Sequence, residues 1–399
     1  MYDSGSLGCL VQDSYAIKPV RPGMLSGMTF VVKDNIAISG HVSSFGNPRW
    51  RGTHRKSRKN APVVDRILNG GGEIVGLAKL DEMTLSLVGN APEGTPPINP
   101  LYPDRFTGGS SSGTASAVAG GIAQVGIGTD TAGSIRVPAA CCGLYAIRPS
   151  HGMIDSSGVV PLAKSFDVVG IASMDPRLIR STLLEVKSAR KLPDTKVQRV
   201  VLPADALKTA SKETGMAVRR AATAIAKAMG ARLEEQSFGS FLDAKFSDLF
   251  TRIRGRETWK LHSAWVRQNH EYLFPDIRMR LEGAKKWSES AAEDAKADIH
   301  AREKYTQDLA EYLGDDALVA LPVISGLAPK RTASEDELTE FRKSALSFTS
   351  PAGLSGFPET VVPARAGKKG FVYGVGLLGP RNSDMALLDA AIAASKARV

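Results

Sequence analysis

Cysteine is scarce in this sequence of 399 residues, which contains only three (Cys9, Cys141 and Cys142). Two of the three are adjacent and are not expected to bridge each other, so no disulfide framework is predicted. Neither the cysteines nor the six histidines show the spacing of metal ligands. We therefore expect a fold without disulfides, metal or cofactor, and the thiol content favours a reducing compartment, the cytoplasm.

Long apolar runs are also missing, since no stretch reaches the roughly 18 residues that a membrane-spanning helix requires. Residues 1–17 lack a basic segment followed by an apolar one, so we expect no secretory signal. The formal net charge is +10, yet the basic residues are scattered. Their densest group, at 51–59, has no aromatic residues between its charges. These absences predict neither a membrane nor a nucleic acid as a partner.

Familiar signals for nucleophilic and nucleotide chemistry are absent as well. No G-x-S-x-G pattern directly follows a predicted strand, as a serine presented at a strand-to-helix turn would require. No histidine is marked as the base of a Ser-His-Asp triad, and His151 is assigned a surface or hydrogen-bonding role. Residues 374–379 match G-x-G-x-x-G, but Pro380 follows in place of a helix, so we expect no dinucleotide there.

What the chain does have is one long segment of small residues, 108–149, around which the rest is organised. Three serines (Ser110, Ser111 and Ser112) follow a glycine pair, and a later serine, Ser134, is preceded by glycine. Small residues let backbone approach a ligand closely. Apolar residues are interleaved through the segment, which a flexible linker does not need. The pattern favours a site built from backbone amides and serine hydroxyls.

Apolar, strand-like runs alternate with helical patterns along the chain. Strands are predicted at 28–32, 73–78, 124–128 and 144–147, with helices at 61–68 and 113–122 between them. Such alternation is typical of an α/β sheet with helices packed on it.

The segment GGSSSG, together with GIGTDTAGSIRVPAACCGLYAIRPSHG, resembles the signature of the amidase signature family of serine amidohydrolases. The resemblance extends to shorter stretches along most of the chain: GMTFVVKDNI at 27–36, FGNPRW at 45–50, DEM at 81–83, SFDVVG at 165–170 and GLSGFP at 353–358. These stretches look most like the indole-3-acetamide-hydrolase type. The likeness implies a mixed β-sheet core flanked by α-helices, in a single amidase domain, 1–399, with a variable and mainly helical segment at about 205–315.

By this resemblance, the chain is expected to cleave a primary amide of a small aromatic or aliphatic acid, such as indole-3-acetamide, to the acid and ammonia. Ser134 is then the nucleophile that forms the acyl-enzyme. Ser110, 24 positions upstream, is the bridging serine in a cis peptide after Gly109, and Lys33 is the base. A lysine acts as a base only when neutral, and burial favours that form. The apolar run before Lys33 fits a buried position.

The resemblance also indicates how the carbonyl oxygen of the substrate is held. Four consecutive backbone amides are expected to form the oxyanion hole: those of Thr131, Ala132, Gly133 and Ser134. The family more often has glycine at the position of Ala132. Arg136 either binds a substrate carboxylate or, as we expect, braces this loop. Substrate contacts are predicted for Gly109 and Met83, with pocket residues from 81–87 and the helical segment.

Two other functions stay open for a chain of this type. One is the glutaminase subunit of a tRNA amidotransferase, and the other is a catalytically silent binding module with the same fold. Lys33, Ser110 and Ser134 occur together, which argues against the silent module. We expect a small-molecule amide as the partner and allow for a homodimer. Either alternative predicts no hydrolysis of simple free amides by the chain alone.

Overall fold

The computed structural model describes residues 4–90, 94–188 and 195–397, so both predicted domain limits, 1 and 399, lie outside it. At its centre is a ten-stranded sheet. The strands are β1 (Thr29–Lys33), β2 (Glu73–Ala78), β3 (Val125–Asp130), β4 (Tyr145–Arg148), β5 (Val168–Ser173), β6 (Arg199–Leu202), β7 (Arg232–Glu235), β8 (Ala317–Pro322), β9 (Glu359–Ala366) and β10 (Phe371–Leu378). Their order is β2-β1-β3-β5-β4-β9-β10-β8-β6-β7. The outer pairs β1/β2, β1/β3, β6/β7 and β6/β8 are parallel, and the central pairs are antiparallel.

Helices cover both faces of the sheet. In the described part of the chain they are α1 (Ser4–Leu7), α2 (Pro48–Thr53), α3 (Pro62–Asn69), α4 (Ser112–Ala119), α5 (Arg136–Cys142), α6 (Pro176–Val186), α7 (Ala204–Leu207), α8 (Lys212–Met229), α9 (Ala244–Asn269), α10 (Pro275–Ser288), α11 (Ala292–Leu313), α12 (Glu335–Ser355) and α13 (Asp384–Ala397). Helices α3, α6, α8 and α13 pack on one face, and α4 and α5 on the other. Short 3-10 turns lie at Glu82–Thr84, Gly239–Leu242 and His270–Tyr272.

The prediction of a mixed sheet flanked by helices is confirmed. Strands β3, β5 and β8 are buried at every position, because helices cover both of their faces. Residues 205–315 contain α8–α11 and one strand, β7. Helix α9 contacts α10, α11 and α12, and α11 contacts α12. Ala132, in the loop after β3, shares a hydrophobic cluster with Phe250 of α9 and Ala352 of α12, so this helical layer adjoins the loop.

Strand β1 shows how the sheet directs a polar residue toward one layer. Phe30 and Val32 pack with residues of α3, whereas Val31 packs with residues of α4. Side chains alternate between the two faces of a strand. Lys33 therefore projects to the α4 side, where the serine-rich segment begins.

Candidate active site

Lys33 is the last residue of β1 and is fully buried. Its Nζ donates hydrogen bonds to Ser110 Oγ at 2.9 Å and to Thr129 Oγ1 at 2.8 Å. Burial lowers the pKa of Lys33 to about 7, although three nearby aspartates act in the opposite direction. Near neutral pH, a large fraction of this amine is therefore uncharged.

Ser110 follows a cis peptide bond, Gly109–Ser110, and its side chain is buried. A Cβ at Gly109 would collide with the Asp81 carboxylate, so glycine is required there. Asp81 also ties this segment down. Its Oδ2 accepts the Gly89 N–H at 2.9 Å, and its own N–H donates to the Ser110 carbonyl at 3.1 Å. Gly109 thus lies in a backbone network and is not among the residues lining the cavity described below.

Ser134 lies in the loop between β3 and α5 and is buried with 3% of its surface exposed. Its carbonyl accepts the Ser111 N–H at 3.1 Å, which joins this loop to the segment that carries Ser110. Lys33, Ser110 and Ser134, which are far apart in the sequence, are thus brought together at the ends of β1 and β3 and the start of α4.

The backbone N–H groups of the loop between β3 and α5 differ in whether they already donate a hydrogen bond to the protein. The Gly133 N–H donates to Asp130 Oδ1 at 2.9 Å. Within residues 4–90, 94–188 and 195–397, the amides of Thr131, Ala132 and Ser134 donate to no protein group. Three of the four predicted amides are therefore uncommitted.

A buried network of ion pairs holds the loop between β3 and α5 in place. Arg136 bonds Asp130 at 2.9 Å and 3.0 Å and Glu359 at 2.5 Å, and Arg148 bonds Asp130 at 3.1 Å. Burial alone would raise the pKa of Asp130, but Arg136 and Arg148 hold it well below its usual range. Because both carboxylate partners of Arg136 come from the protein, this residue braces the loop.

Asp167 supports the same loop from the neighbouring strand. Its Oδ1 accepts the Thr131 hydroxyl at 2.6 Å, and its Oδ2 accepts the N–H groups of Leu162 at 2.8 Å and Ala163 at 3.0 Å. Burial raises the pKa of Asp167 to about 6. Asp167 is the acidic residue of the SFDVVG stretch, so its position in that motif was the signal that it has a role.

Thr129 is the second residue that sequence reasoning left without a role. Its hydroxyl accepts hydrogen bonds from Lys33 at 2.8 Å and from Asn35 at 3.3 Å. The residue belongs to the GTDTAG part of the long signature, so the motif did contain it. Its partner Lys33 became evident only when β1 and β3 were seen to be neighbours.

A cavity of about 410 Å³ opens beside Ser134. Ala132, Ser134 and the segment from Thr84 to Leu87 form one wall. The other wall comes from three helices, with Thr251, Arg254 and Gly255 of α9, Arg280, Gly283, Ala284 and Trp287 of α10, and Thr339, Arg342 and Leu346 of α12. The helical segment and part of 81–87 therefore line a cavity with Ser134.

Met83 does not line this cavity, although it precedes residues that do. Its side chain is fully buried in a cluster with Phe45 and Trp50. Its backbone has a φ of 48°, and its N–H donates to the Phe45 carbonyl at 2.9 Å. Met83 thereby anchors the start of the cavity wall.

Two plant proteins are similar to this chain over most of its length. The chain is 34% identical to "Amidase 1" of Oryza sativa subsp. japonica over 395 residues, which cover 92% of this chain and 89% of that protein. It is 31% identical to "Amidase 1" of Arabidopsis thaliana, with 86% of each chain covered. Among solved structures, the K. lactis urea amidolyase superposes with a TM-score of 0.83 at 25% identity, covering 93% of this chain and 23% of that one.

The prediction of a cytoplasmic location is wrong as an inference from the cysteine content. The chain is 27% identical to the "Translocon at the outer membrane of chloroplasts 64" of Pisum sativum, over 93% of this chain and 66% of that protein. Thiol content reports on disulfide formation and not on association with a membrane surface. No helix in the described part of the chain has the length and hydropathy needed to cross a bilayer.

The family model named Amidase matches residues 12–236, which include Lys33, Ser110 and Ser134. Together with the two Amidase 1 relatives, this match decides the family. The chain belongs to the amidase family and is an amide hydrolase.

Proposed function

We propose that the chain hydrolyses a carboxylic acid amide to the acid and ammonia through a Ser-Ser-Lys relay. Ser134 is the nucleophile, Ser110 the bridging group and Lys33 the base. The observation that carries this proposal is the 2.9 Å contact between the buried Lys33 Nζ and Ser110 Oγ. The relay operates within a single amidase domain, in keeping with one sheet that runs through the chain.

In the first half-reaction, Ser134 Oγ attacks the amide carbonyl carbon. Its proton passes to Ser110 Oγ while the Ser110 proton passes to neutral Lys33 Nζ. A base is effective when its pKa lies near the working pH, and burial brings Lys33 into that range. The proton then returns through Ser110 to the leaving nitrogen as the C–N bond breaks. Ammonia departs, and the acyl group stays on Ser134 as an ester.

In the second half-reaction, water takes the place of Ser134. A water proton passes through Ser110 to Lys33 as the water oxygen bonds to the ester carbon. The relay then returns a proton to Ser134 Oγ as the ester bond breaks, which frees the acid and restores all three residues. Negative charge develops on the carbonyl oxygen in both halves. The uncommitted amides of Thr131, Ala132 and Ser134 are the donors that we propose for it, since preorganised N–H groups stabilise an oxyanion at little reorganisation cost.

The glutaminase alternative has a specific observation behind it. A relative from Wolinella succinogenes, named as a component of glutamyl-tRNA(Gln) amidotransferase, is 27% identical over 95% of this chain and 91% of that protein. Such a function predicts ammonia release from glutamine and little from other amides. The proposal of a free-standing amidase predicts release from simple amides without a partner.

The test is ammonia release by the purified chain from indole-3-acetamide, benzamide, phenylacetamide, propionamide, malonamate and glutamine. Ser134→Ala and Lys33→Ala should each reduce kcat by roughly a thousandfold or more, because each removes a group that acts in every bond-making step. Activity that survives in Ser134→Ala would overturn the proposed relay.

Ser247 offers a matched control for the serine substitution. It lines the same cavity, and its hydroxyl donates within α9 to the Ala244 carbonyl at 2.9 Å. Ser247→Ala should therefore keep near-normal kcat. A serine-directed organophosphonate should label Ser134 in the wild-type chain, and labelling elsewhere would reject Ser134 as the nucleophile.

A further inference from the structure

Three arginines from three different helices line the cavity that also holds Ser134. They are Arg254 of α9, Arg280 of α10 and Arg342 of α12. The space they share measures about 410 Å³. Like charges gathered in so small a volume repel one another, most strongly where water is excluded. Their convergence therefore calls for a compensating negative charge.

The protein itself neutralises little of this charge. Arg280 bonds the Asp276 carboxylate at 2.7 Å and the Leu85 carbonyl at 2.6 Å. By contrast, no hydrogen bond or ion pair joins the guanidinium group of Arg254 or Arg342 to any residue that the structure describes. The Nε–H groups of Arg254 and Arg280 are both buried and unpartnered. Two of the three charges thus have no counterion among the described residues.

Two neighbouring arginines on helix α9 can be compared with Arg254. Arg252 and Arg256 lie two positions on either side of Arg254, and both bond the Asp298 carboxylate, at 2.7 Å and 2.5 Å. These two arginines have a protein carboxylate, and the one between them, which lines the cavity, has none within the described chain. Charges removed from water without a partner are strongly unfavourable. The unpaired state of Arg254 is therefore a feature of the cavity and not of the helix.

The pKa values of the cavity arginines agree with this geometry. Burial, and then the charge of Arg280, lowers the pKa of Arg254. Burial, and then Arg280 and Arg254, lowers the pKa of Arg342. Two exposed lining residues, Lys343 and Asp248, add one charge of each sign. With only protein groups around them, the cationic forms are disfavoured, and an anion in the cavity would relieve that penalty.

We propose that the amide substrate carries a carboxylate on its acyl part, held by Arg254, Arg280 and Arg342 while its carbonyl meets Ser134. This inference rests on the proposed function. A planar guanidinium matches a carboxylate with two parallel hydrogen bonds. Because the arginines and Ser134 line one cavity, the anion and the amide belong to the same molecule. The substrate class is the monoamide of a small dicarboxylic acid, which narrows the small aromatic or aliphatic acyl group that the family resemblance implies to one that carries a carboxylate.

Matched pairs of amides test this substrate class. Malonamate, succinamate and glutaramate differ from propionamide, butyramide and valeramide only in a carboxylate that replaces the terminal methyl group. We expect kcat/KM to favour the acid by at least 50-fold in one or more pairs. Equal or faster turnover of the neutral member in all three pairs would overturn the inference and leave the amidase function standing. No turnover of any amide, with no organophosphonate labelling of Ser134, would instead contradict the proposed function.

Variants of the arginines assign the preference to the cavity. Arg254→Gln and Arg342→Gln should each reduce the acid-to-neutral ratio at least tenfold, mainly through KM. Arg256→Gln is the matched control, because Arg256 lies on the same helix and pairs with Asp298 away from the cavity. A ratio that is unchanged in both cavity variants would reject the arginines as the carboxylate site.

Binding gives a readout that does not depend on turnover. Calorimetry on the Ser134→Ala chain, at fixed ionic strength, compares malonate, succinate and glutarate with the corresponding diamides. We expect at least one dicarboxylate to bind ten times more tightly than its diamide and to lose that advantage in a chain that also carries Arg342→Gln. The absence of any such advantage in all three pairs would overturn the proposal.

Discussion

Lys33 Nζ and Ser110 Oγ lie 2.9 Å apart, and both side chains are fully buried. The contact makes the protonation state of Lys33 the property that controls the proposed relay. A protonated Nζ has no lone pair to accept the Ser110 proton. Burial brings the pKa of Lys33 to about 7, so both forms of the amine are populated near neutral pH.

We predict that kcat/KM rises with pH through about 7 and is level above it. The neutral fraction of Lys33 grows as the pH passes its pKa, and only that fraction acts as a base. Rates should be measured from pH 5.5 to 9 with an uncharged amide, whose own ionisation cannot contribute. Maximal activity below pH 6 would contradict a neutral lysine base.

The stability of a Lys33→Met variant relative to wild type should depend on pH. As the pH rises from 7 toward 10, the wild-type Lys33 loses its proton in the folded state but keeps it in the unfolded state, so the unfolded state binds more protons. Wild-type stability therefore gains about 1.4 kcal/mol per pH unit from this group, a gain that methionine lacks. Well below pH 7, Lys33 is protonated in both the folded and the unfolded state, and the stability difference between the two chains is constant.

Urea unfolding of the two chains at pH 7, 8 and 9 measures this difference. Any advantage of Lys33→Met should shrink by about 2 kcal/mol from pH 7 to pH 9, because part of the folded-state amine is still protonated at pH 7. Other titrating groups are shared by both chains, so the comparison isolates residue 33. A difference that does not change with pH would mean that Lys33 stays charged in the folded protein.

Thr129 is predicted to position the Lys33 amine. Thr129→Val removes an acceptor 2.8 Å from Nζ and should lower kcat by roughly 10- to 100-fold with a small change in KM. Loss of an acceptor also disfavours the ammonium form, so the rising limb of the pH profile should move to lower pH. Thr129→Ser, which keeps the hydroxyl, should restore both properties. If the rising limb of the pH profile does not shift in Thr129→Val, the limb reports the ionisation of a group other than Lys33.

The strands and their burial were predictable from the sequence, because hydrophobic patterning decides them. The predicted strand at 73–78 coincides with β2, and the one at 28–32 lies one residue from β1. Helix α12 was not predicted at all. Its interior contains Pro351, and most of its last turns are small residues, so it lacks a clear apolar stripe. The capping box at Ser334 and Glu337 was the usable signal for its start.

The serines of the proposed relay could be grouped from the sequence, whereas the arginines of the cavity could not. Ser110 and Ser134 lie in one long signature, so a motif connects them. Arg254, Arg280 and Arg342 lie on three helices and share no motif. Their juxtaposition depends on how α9, α10 and α12 pack, and the pattern of each helix shows only that it is partly buried. The charge of the cavity therefore became evident only from the assembled fold.

Gly133 is predicted to be essential for the shape of the proposed oxyanion loop. Its φ is 115°, and a Cβ there would lie 3.0 Å from the side chain of Thr349. The Thr349 hydroxyl donates to the Ala132 carbonyl at 2.7 Å, so displacing it would turn the peptide plane beside the uncommitted amides. Gly133→Ala should destabilise the fold by about 1–3 kcal/mol and lower kcat more than it raises KM.

Gly152 is the control that separates the backbone penalty of an alanine substitution from its effect on the proposed oxyanion loop. Its φ is 82°, but no atom lies within 4 Å of an added Cβ, and the residue is exposed. Gly152→Ala should therefore carry only the left-handed backbone penalty, about 1–2 kcal/mol, with kcat unchanged. Thermal unfolding and amide turnover on both variants measure the two effects. If Gly133→Ala loses stability to the same extent as Gly152→Ala and keeps its kcat, the loop does not hold the oxyanion through the geometry proposed for it.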